Sequence, residues 1–236
     1  MNYGRGATIE GSGERWVLRH LKEIFRDSAH LVVFDVGANT GQYTTELLQS
    51  FGNKADIFCF EPNTAIFNLL TQNMAGKSNV HCYNLGLSDK DHEAVLYSNG
   101  ETSGMGSLYD RHLSHANITM MPTSSVSLTT LGGFCRRAGI DQIDFMKIDV
   151  EGHELNVLRG ASDVSQPIRF IQFEFGDCNI DSRTYFRDLF EMLSPNYDIY
   201  RILHHGLRKI GRYNESLEVF KVTNYFSTLR DGGSRP

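Results

Sequence analysis

Short apolar runs alternate with amphipathic segments along most of this chain. Continuous apolar runs predict buried strands, and apolar residues at helical spacing predict the helices between them. Such alternation is typical of right-handed crossovers in a parallel sheet that carries helices on both faces. The fold class is therefore α/β with a Rossmann-like sheet. The predicted strands are residues 31–36, 56–60, 79–85, 143–149 and 168–175, and the predicted helices are residues 42–50, 63–75, 129–139 and 153–160.

The pattern changes towards the C-terminal end of the chain. After a helix at 186–193, strands are predicted at 197–203 and 217–223, joined by a basic turn. Because two strands so close in sequence pair as a hairpin, we expect an antiparallel strand beside the parallel ones. The whole sheet is then predicted to be seven-stranded and mostly parallel.

The pattern divides the chain into a cap, a main domain and a tail. An amphipathic helix at 14–27 indicates an N-terminal helical cap over residues 1–30, and the alternating elements define a main domain over 31–225. Residues 226–236 are expected to form a flexible tail. Within the main domain, residues 98–127 form a polar insert rich in Ser, Gly, Thr, Asn and His. Because polar inserts of this length are often functional, we expect it to line the pocket of an acceptor substrate.

Composition and charge argue against several classes of protein. The chain has 236 residues, of which 40% are hydrophobic and 22% charged, and its net charge is −5. That balance does not favour a nucleic-acid partner, and no segment has the apolar length of a membrane span. There is no signal-peptide core, and four widely spaced cysteines without a paired motif are typical of a reducing compartment. We expect a cytoplasmic protein whose oligomeric state stays open, with a homodimer as one alternative.

A glycine-rich loop and an acid mark the first candidate site. The first predicted strand leads into Asp35, Gly37, Asn39 and Gly41, and the second ends on Glu61. In such a unit the loop lets backbone approach a nucleoside, and the acid accepts hydrogen bonds from the ribose hydroxyls. A dinucleotide fingerprint would place glycine where Asn39 stands, so an NAD-linked oxidoreductase fits poorly. The loop suits S-adenosylmethionine (SAM), whose ammonium and carboxylate can be held by Asp35 and by loop amides.

Four further residues are candidate contacts of the same cofactor. Pro62 follows the ribose-binding acid directly, and Tyr43 is the second residue of the predicted helix after the glycine loop. Ser88 and Asp89 follow the third predicted strand, where an acid or amide commonly meets the adenine amino group. For these two residues, ordinary turn chemistry is the alternative explanation.

Ionisable residues cluster where the fourth and fifth predicted strands end. Asp149, Glu151 and His153 follow one apolar strand, and Glu174 follows the next among aromatic residues. Such groups are costly unless they are paired, solvated or used, so they are candidate catalytic residues. A helix-start carboxylate for Glu151 and a packed histidine for His153 are the structural alternatives. The same groups offer ligands to a divalent cation, but no spacing fixes a metal geometry, and no metal site is predicted.

Four segments carry a resemblance to a known family: FDVGANTGQY at 34–43, FEPN at 60–63, NLGLSD at 84–89 and IDFMKIDVEGHELNVLRG at 143–160. Together they resemble the FkbM family of SAM-dependent methyltransferases. The resemblance covers about residues 31–176. It implies the class I methyltransferase fold, SAM as cofactor and S-adenosyl-L-homocysteine (SAH) as product.

The resemblance also implies transfer of a methyl group to a hydroxyl of a sugar, glycan or secondary metabolite. His153 or Glu174 would take the hydroxyl proton, and Asp149 would orient the acceptor or steady the sulfonium charge. Two alternatives stay open. One is transfer to a nitrogen or a carboxylate on the same fold, and the other is a SAM-binding protein without turnover.

Overall fold

The computed structural model describes residues 9–100 and 103–230, which form a main sheet flanked by helices and a smaller second sheet. The strands are β1 Leu31–Val36, β2 Ala55–Phe60, β3 Val80–Tyr83, β4 Gly86–Ser88, β5 His92–Ser98, β6 Met121–Thr130, β7 Phe145–Ile148, β8 Phe170–Phe175, β9 Tyr197–Leu203, β10 Gly206–Ile210 and β11 Thr223–Leu229. The α-helices are α1 Ile9–Ser12, α2 Glu14–Ile24, α3 Gln42–Phe51, α4 Thr64–Asn73, α5 Leu131–Ala138, α6 Glu154–Arg159, α7 Cys178–Ser182 and α8 Phe186–Leu193.

The main sheet has the strand order β10-β9-β11-β8-β7-β1-β2-β3. Neighbours from β8 to β3 run parallel, whereas β11 pairs antiparallel with both β8 and β9. From β1 the chain first continues to β2 and β3 on one side and later returns to β7 on the other. This makes β1 the topological switch point, where open α/β sheets bind ligands at the carboxyl ends of their strands.

The α/β class and the mostly parallel sheet are confirmed, but within the described residues the main sheet has eight strands and not seven. The strand predicted at 217–223 is wrong. The hairpin partner of β9 is β10, which forms from the predicted basic turn and pairs Gly206 with Leu203, while β11 lies on the other side of β9. Arg208 and Lys209 on β10 are exposed, as is usual for an edge strand. Because these two charged residues interrupt the apolar pattern, the sequence did not predict a strand here.

The C-terminal boundary of the main domain also needs correction. Strand β11 begins at Thr223 and continues to Leu229, so residues 226–229 belong to the sheet and not to a tail. Tyr225 and Phe226 on this strand are fully buried. Residues 231–236 of the predicted tail lie outside the described residues.

The second sheet was missed by the sequence analysis. It has the order β4-β6-β5, with β4 parallel and β5 antiparallel to β6. Residues 121–127, which were predicted as part of a polar insert, lie in β6, and most of their side chains are exposed. A strand with so little burial lacks the apolar alternation by which strands are recognised.

The core lies on both faces of the main sheet. Phe34 and Phe60 belong to the cluster on one face, and Val33 and Ile57 to the cluster on the other. Because side chains alternate across a strand, neighbouring residues of β1 and β2 reach opposite faces. Helix α2 packs on the second face through Val17, Leu18 and Leu21, and Phe25, directly after the helix, belongs to the same cluster. None of the described helices is long and apolar enough to cross a membrane.

Candidate active site

A cavity of about 290 Å³ lies at the carboxyl ends of β1, β2 and β7, at the switch point of the sheet. Polar residues from three strand ends converge on it, together with apolar residues from the second sheet. Of the predicted site residues, those that line the cavity are Gly37, Asn39, Tyr43, Glu61, Pro62, Asp149, Glu151 and His153. Those that do not line it are Asp35, Gly41, Ser88, Asp89 and Glu174.

The glycine loop is shaped by close backbone contacts. Gly37 has φ 83°, and a Cβ there would lie 1.8 Å from the carbonyl oxygen of Asp149. Only glycine fits, because any side chain would separate the loop after β1 from the end of β7. Gly41, with φ 88°, precedes α3, and its Cβ would meet the side chain of Met74 at 2.8 Å. Both glycines therefore place the loop and do not have to touch a ligand.

Asp35 lies beneath the loop and is fully buried. Its Oδ2 accepts a hydrogen bond of 2.6 Å from the hydroxyl of Thr44, whereas its Oδ1 is buried without a hydrogen-bond partner among the described residues. Burial raises the pKa of Asp35 above its ordinary value. Because Asp35 does not line the cavity, its carboxylate can affect a ligand there through its charge and not by contact.

Glu61 occupies the β2 side of the cavity. Its carboxylate accepts hydrogen bonds from the backbone N–H groups of Asn39, at 3.1 Å, and of Asn63, at 2.9 Å. Burial raises the pKa of Glu61 to about 7. The carboxylate thus ties the glycine loop to the end of β2, and its remaining lone pairs can accept hydrogen bonds from a ribose.

Two charged residues on the β7 side were missed by the sequence analysis. The Nζ of Lys147 lies 2.9 Å from Oδ2 of Asp149 and 4.6 Å from the ring centre of Tyr43. Glu14, at the start of α2, lines the cavity beside them. Burial alone would lower the pKa of Lys147, but Asp149, Glu14 and Asp35 raise it, so it stays charged. A lysine two residues before Asp149 lies on the same face of the strand, and that signal was available.

The polar insert also reaches the cavity, which Gly104, Gly106 and Leu108 help to line. Its Arg111 is buried and donates a hydrogen bond of 2.7 Å to the Glu151 carboxylate, with Asp177 at 3.4 Å. The hydroxyl of Ser107 donates to the carbonyl oxygen of Glu151 at 2.8 Å. Burial, together with Asp149, raises the pKa of Glu151 to about 8, although Arg111 opposes the shift. These contacts join residues about 40 positions apart, which no local motif reveals.

His153 is held on both ring nitrogens. Its Nε2 lies 2.9 Å from the hydroxyl of Ser88, and its Nδ1 lies 2.9 Å from the hydroxyl of Tyr109 and 3.2 Å from the amide nitrogen of Asn156. The Ser88 hydroxyl in turn donates to Asp89 at 3.0 Å. An amide nitrogen only donates, so Nδ1 is the acceptor and Nε2 carries the proton. Burial lowers the pKa of His153 to about 4.

Glu174 is half-buried at the end of β8, next to β7. Burial raises its pKa well above the ordinary value, and Asp149 and Glu151 add to the shift. It shares the charged surroundings of the cavity without lining it. Among the described residues, no group of three or more His, Cys, Asp or Glu could hold a metal ion.

Comparison with known proteins gives this site a family context. Residues 35–202 match the family described as the methyltransferase FkbM domain. The 2-O-methyltransferase NoeI of Sinorhizobium fredii is 29% identical over 155 residues, which cover 62% of this chain and 63% of NoeI. The hexuronic acid methyltransferase AglP of Haloferax volcanii is 30% identical over 165 residues, which cover 69% of this chain and 62% of AglP. The match thus spans less than two thirds of each relative.

Solved structures share the fold at low sequence identity. A precorrin-6y C5,15-methyltransferase from Geobacter metallireducens has a TM-score of 0.51 at 10% identity, covering 97% of this chain and 93% of that one. An O-methyltransferase from Bacillus cereus has a TM-score of 0.50 at 10% identity, and the match covers 91% of this chain and 80% of that one. At such identity the likeness concerns the fold alone.

Proposed function

The chain belongs to the FkbM methyltransferase family, and from that premise we propose that it is a SAM-dependent O-methyltransferase. The acceptor in this proposal is a hydroxyl group of a sugar, glycan or secondary metabolite. The observation that carries it is the cavity at the switch point, with Glu61 on its β2 side and Asp149 and Glu151 on its β7 side. A nucleoside and a reacting hydroxyl can thus be held on opposite sides of β1.

The residues present suit this cofactor. Glu61 would bind the ribose, Pro62 and Asn39 would contact the nucleoside, and the acids beside β7 would face the positively charged end. When bound, SAM supplies an electrophilic methyl group on its sulfonium. The work of the chain is to hold the acceptor oxygen in line with that methyl group and to exclude water, since orientation can supply several kcal/mol of the barrier.

The proton of the acceptor hydroxyl needs a base as the new bond forms. Glu151 and Glu174 are carboxylates whose pKa is raised by burial, and Glu151 lines the cavity. His153 is the weaker candidate, because its pKa is near 4 and both ring nitrogens already have partners. We assign proton removal to Glu151, the carboxylate of the two that lines the cavity, with Asp149 orienting the acceptor.

The names of the relatives support a sugar as the acceptor, since one is a 2-O-methyltransferase and the other a hexuronic acid methyltransferase. The proposal includes the cytoplasm as the place of action and the cap at residues 1–30 as part of the catalytic unit. Neither a nucleic acid nor a membrane is among the proposed partners. Transfer to a nitrogen or a carboxylate on the same fold remains the alternative.

Calorimetric binding of SAH tests the proposal before the acceptor is known. We expect micromolar binding to the wild type, at least a tenfold loss in Glu61→Ala (about 1.4 kcal/mol) and no binding of NAD. Transfer of labelled methyl from SAM to glucuronate, glucose and galactose then tests the acceptor class. Binding of NAD, or no binding of SAH to the wild type, would contradict the proposal.

A further inference from the structure

Glu14 is a buried carboxylate that reaches the cavity from outside the predicted catalytic domain. It is the first residue of α2, its side chain lines the cavity, and the residue is 7% exposed. Its two carboxylate oxygens accept hydrogen bonds from the hydroxyl of Ser12, at 2.8 Å, and from the side-chain amide of Gln172, at 2.7 Å. Each oxygen can accept a further hydrogen bond, so the carboxylate has capacity for a ligand.

The turn that carries Glu14 is held firmly on the sheet. Gly13, between α1 and α2, has φ 86°, and a Cβ there would lie 2.3 Å from the carbonyl oxygen of Leu203 on β9. The turn therefore lies directly on β9. Arg15, the next residue, pairs with Glu46 on α3 at 2.7 Å. The position of Glu14 is thus defined by contacts on both sides.

The charges around Glu14 do not balance within the described residues. Lys147 is the cation that Glu14, Asp35 and Asp149 share. Asp35 also has the orphaned oxygen described above. Burial raises the pKa of both Glu14 and Asp35, as expected where one ammonium does not compensate every carboxylate around it. Buried charge without a partner is costly, and a cationic ligand would offset that cost.

The place of these carboxylates corresponds to one end of the proposed cofactor. Glu61 lies at the end of β2 and Lys147 lies on β7, with β1 between them. Two strand spacings separate the two sides by roughly 10 Å. If the ribose is held at Glu61, the amino-acid part of SAM extends over β1 towards Glu14. That part carries the α-ammonium group.

We propose that Glu14 binds the α-ammonium group of SAM, so that helix α2 supplies part of the cofactor site. The inference rests on the proposed function and goes beyond it by giving the N-terminal cap a ligand contact. Asp35 and Asp149 then compensate Lys147, and Glu14 is the carboxylate left for the ligand. The cap closes the amino-acid end of the cavity and contributes affinity there.

The test compares two nucleosides that differ in the amino-acid part. SAH carries the α-ammonium group, whereas 5′-methylthioadenosine lacks the whole amino-acid part. In calorimetric titrations, we expect Glu14→Gln to lower the affinity for SAH at least tenfold and to change the affinity for 5′-methylthioadenosine less than twofold. The amide keeps the size of Glu14 and can still bond Ser12 and Gln172. Glu23→Gln, which removes an exposed carboxylate on the same helix that pairs with Arg26, should leave both affinities unchanged.

The outcomes separate the inference from the proposed function. If the wild type binds SAH and Glu14→Gln binds it equally well, the inference is wrong and the proposed function stands. Equal weakening of both nucleosides would also overturn it, because a merely structural role predicts that result. If Glu14→Gln does not fold, the wild type alone decides: it should bind the α-deamino analogue of SAH at least tenfold more weakly than SAH. Equal affinity for the two would refute the contact.

Discussion

The two sides of the cavity are built in different ways. On the β2 side, the glycine loop, Glu61 and Asn63 lie within 30 residues, and the backbone N–H groups of Asn39 and Asn63 donate to the Glu61 carboxylate. On the other side, Glu151 and His153 depend on Arg111 and Tyr109 from the insert, about 40 positions away. The first side is encoded locally, whereas the second exists only when distant segments have folded together. The cofactor side is therefore the more recognisable of the two, and the insert side is where substrate specificity can diverge.

The first prediction tests the cofactor side and has the largest expected effect. Gly37→Ala places a Cβ within 1.8 Å of the Asp149 carbonyl oxygen at a positive φ. We expect the free energy of unfolding to fall by about 3–5 kcal/mol from strain and overlap together, with loss of measurable SAH binding. Urea denaturation and calorimetry measure the two effects.

A matched glycine separates strain from overlap. Gly76 also has a positive φ, of 77°, but a Cβ there meets nothing within 4 Å. Gly76→Ala should therefore lower the free energy of unfolding by only about 1–2 kcal/mol and leave SAH binding unchanged. Equal losses in the two variants would show that the close contact between the β1 loop and β7 does not matter.

The difference between the two sides also explains what the sequence could predict. The strands β1, β2, β7 and β8 were predicted because both of their faces are buried and their apolar runs are continuous. Strands β6 and β10 were missed because one is largely exposed and the other is a charged edge. The predicted cofactor contacts Glu61 and Asn39 line the cavity. Glu14 was missed because its role depends on the packing of α2 on the sheet, whereas Lys147 could have been found from its two-residue spacing to Asp149.

The second prediction tests how the insert is attached. Arg111→Met removes the buried partner of Glu151, and we expect the free energy of unfolding to fall by about 2–3 kcal/mol at pH 9. This is less than the roughly 3–5 kcal/mol for breaking a fully buried pair, because Glu151 is partly exposed. The pKa of Glu151 is about 8, so its carboxyl is mostly protonated at pH 6 and the loss should be smaller there. SAH binding should change less than threefold, because the contacts of Glu61 remain. Denaturant titrations at both pH values measure the difference.

Two controls make that result specific. Arg136 forms a pair of 2.6 Å with Asp163, but both side chains are about half exposed, so Arg136→Met should cost under about 1 kcal/mol. Adding Glu151→Gln to Arg111→Met should recover part of the loss, because no charge is then left unpaired. A loss that is the same at pH 6 and pH 9 would mean that the guanidinium acts by packing and not by charge.

The third prediction has the smallest effect on stability and concerns His153. In protein labelled with ¹⁵N-histidine, we expect His153 to be the neutral Nε2–H tautomer at pH 7 and to protonate only near pH 4. Ser88→Ala removes the acceptor of the Nε2 proton and should cost about 1 kcal/mol. Ser125→Ala on the exposed face of β6 serves as the control. Long-range ¹H–¹⁵N spectra between pH 4 and pH 8 report the tautomer.

The tautomer decides how the two sides of the cavity share the chemistry. With the proton on Nε2, the Nδ1 lone pair is already used by Tyr109 and Asn156, so His153 holds the insert in place and proton removal falls to the carboxylates. With the proton on Nδ1, or with a pKa near the ordinary 6.5, His153 would be free to act as the base expected from the sequence. In the first case the insert shapes the acceptor side of the cavity but takes no part in removing the proton of the acceptor hydroxyl. In the second, Tyr109 would set the strength of the base, and its replacement by phenylalanine would change the pH dependence of turnover.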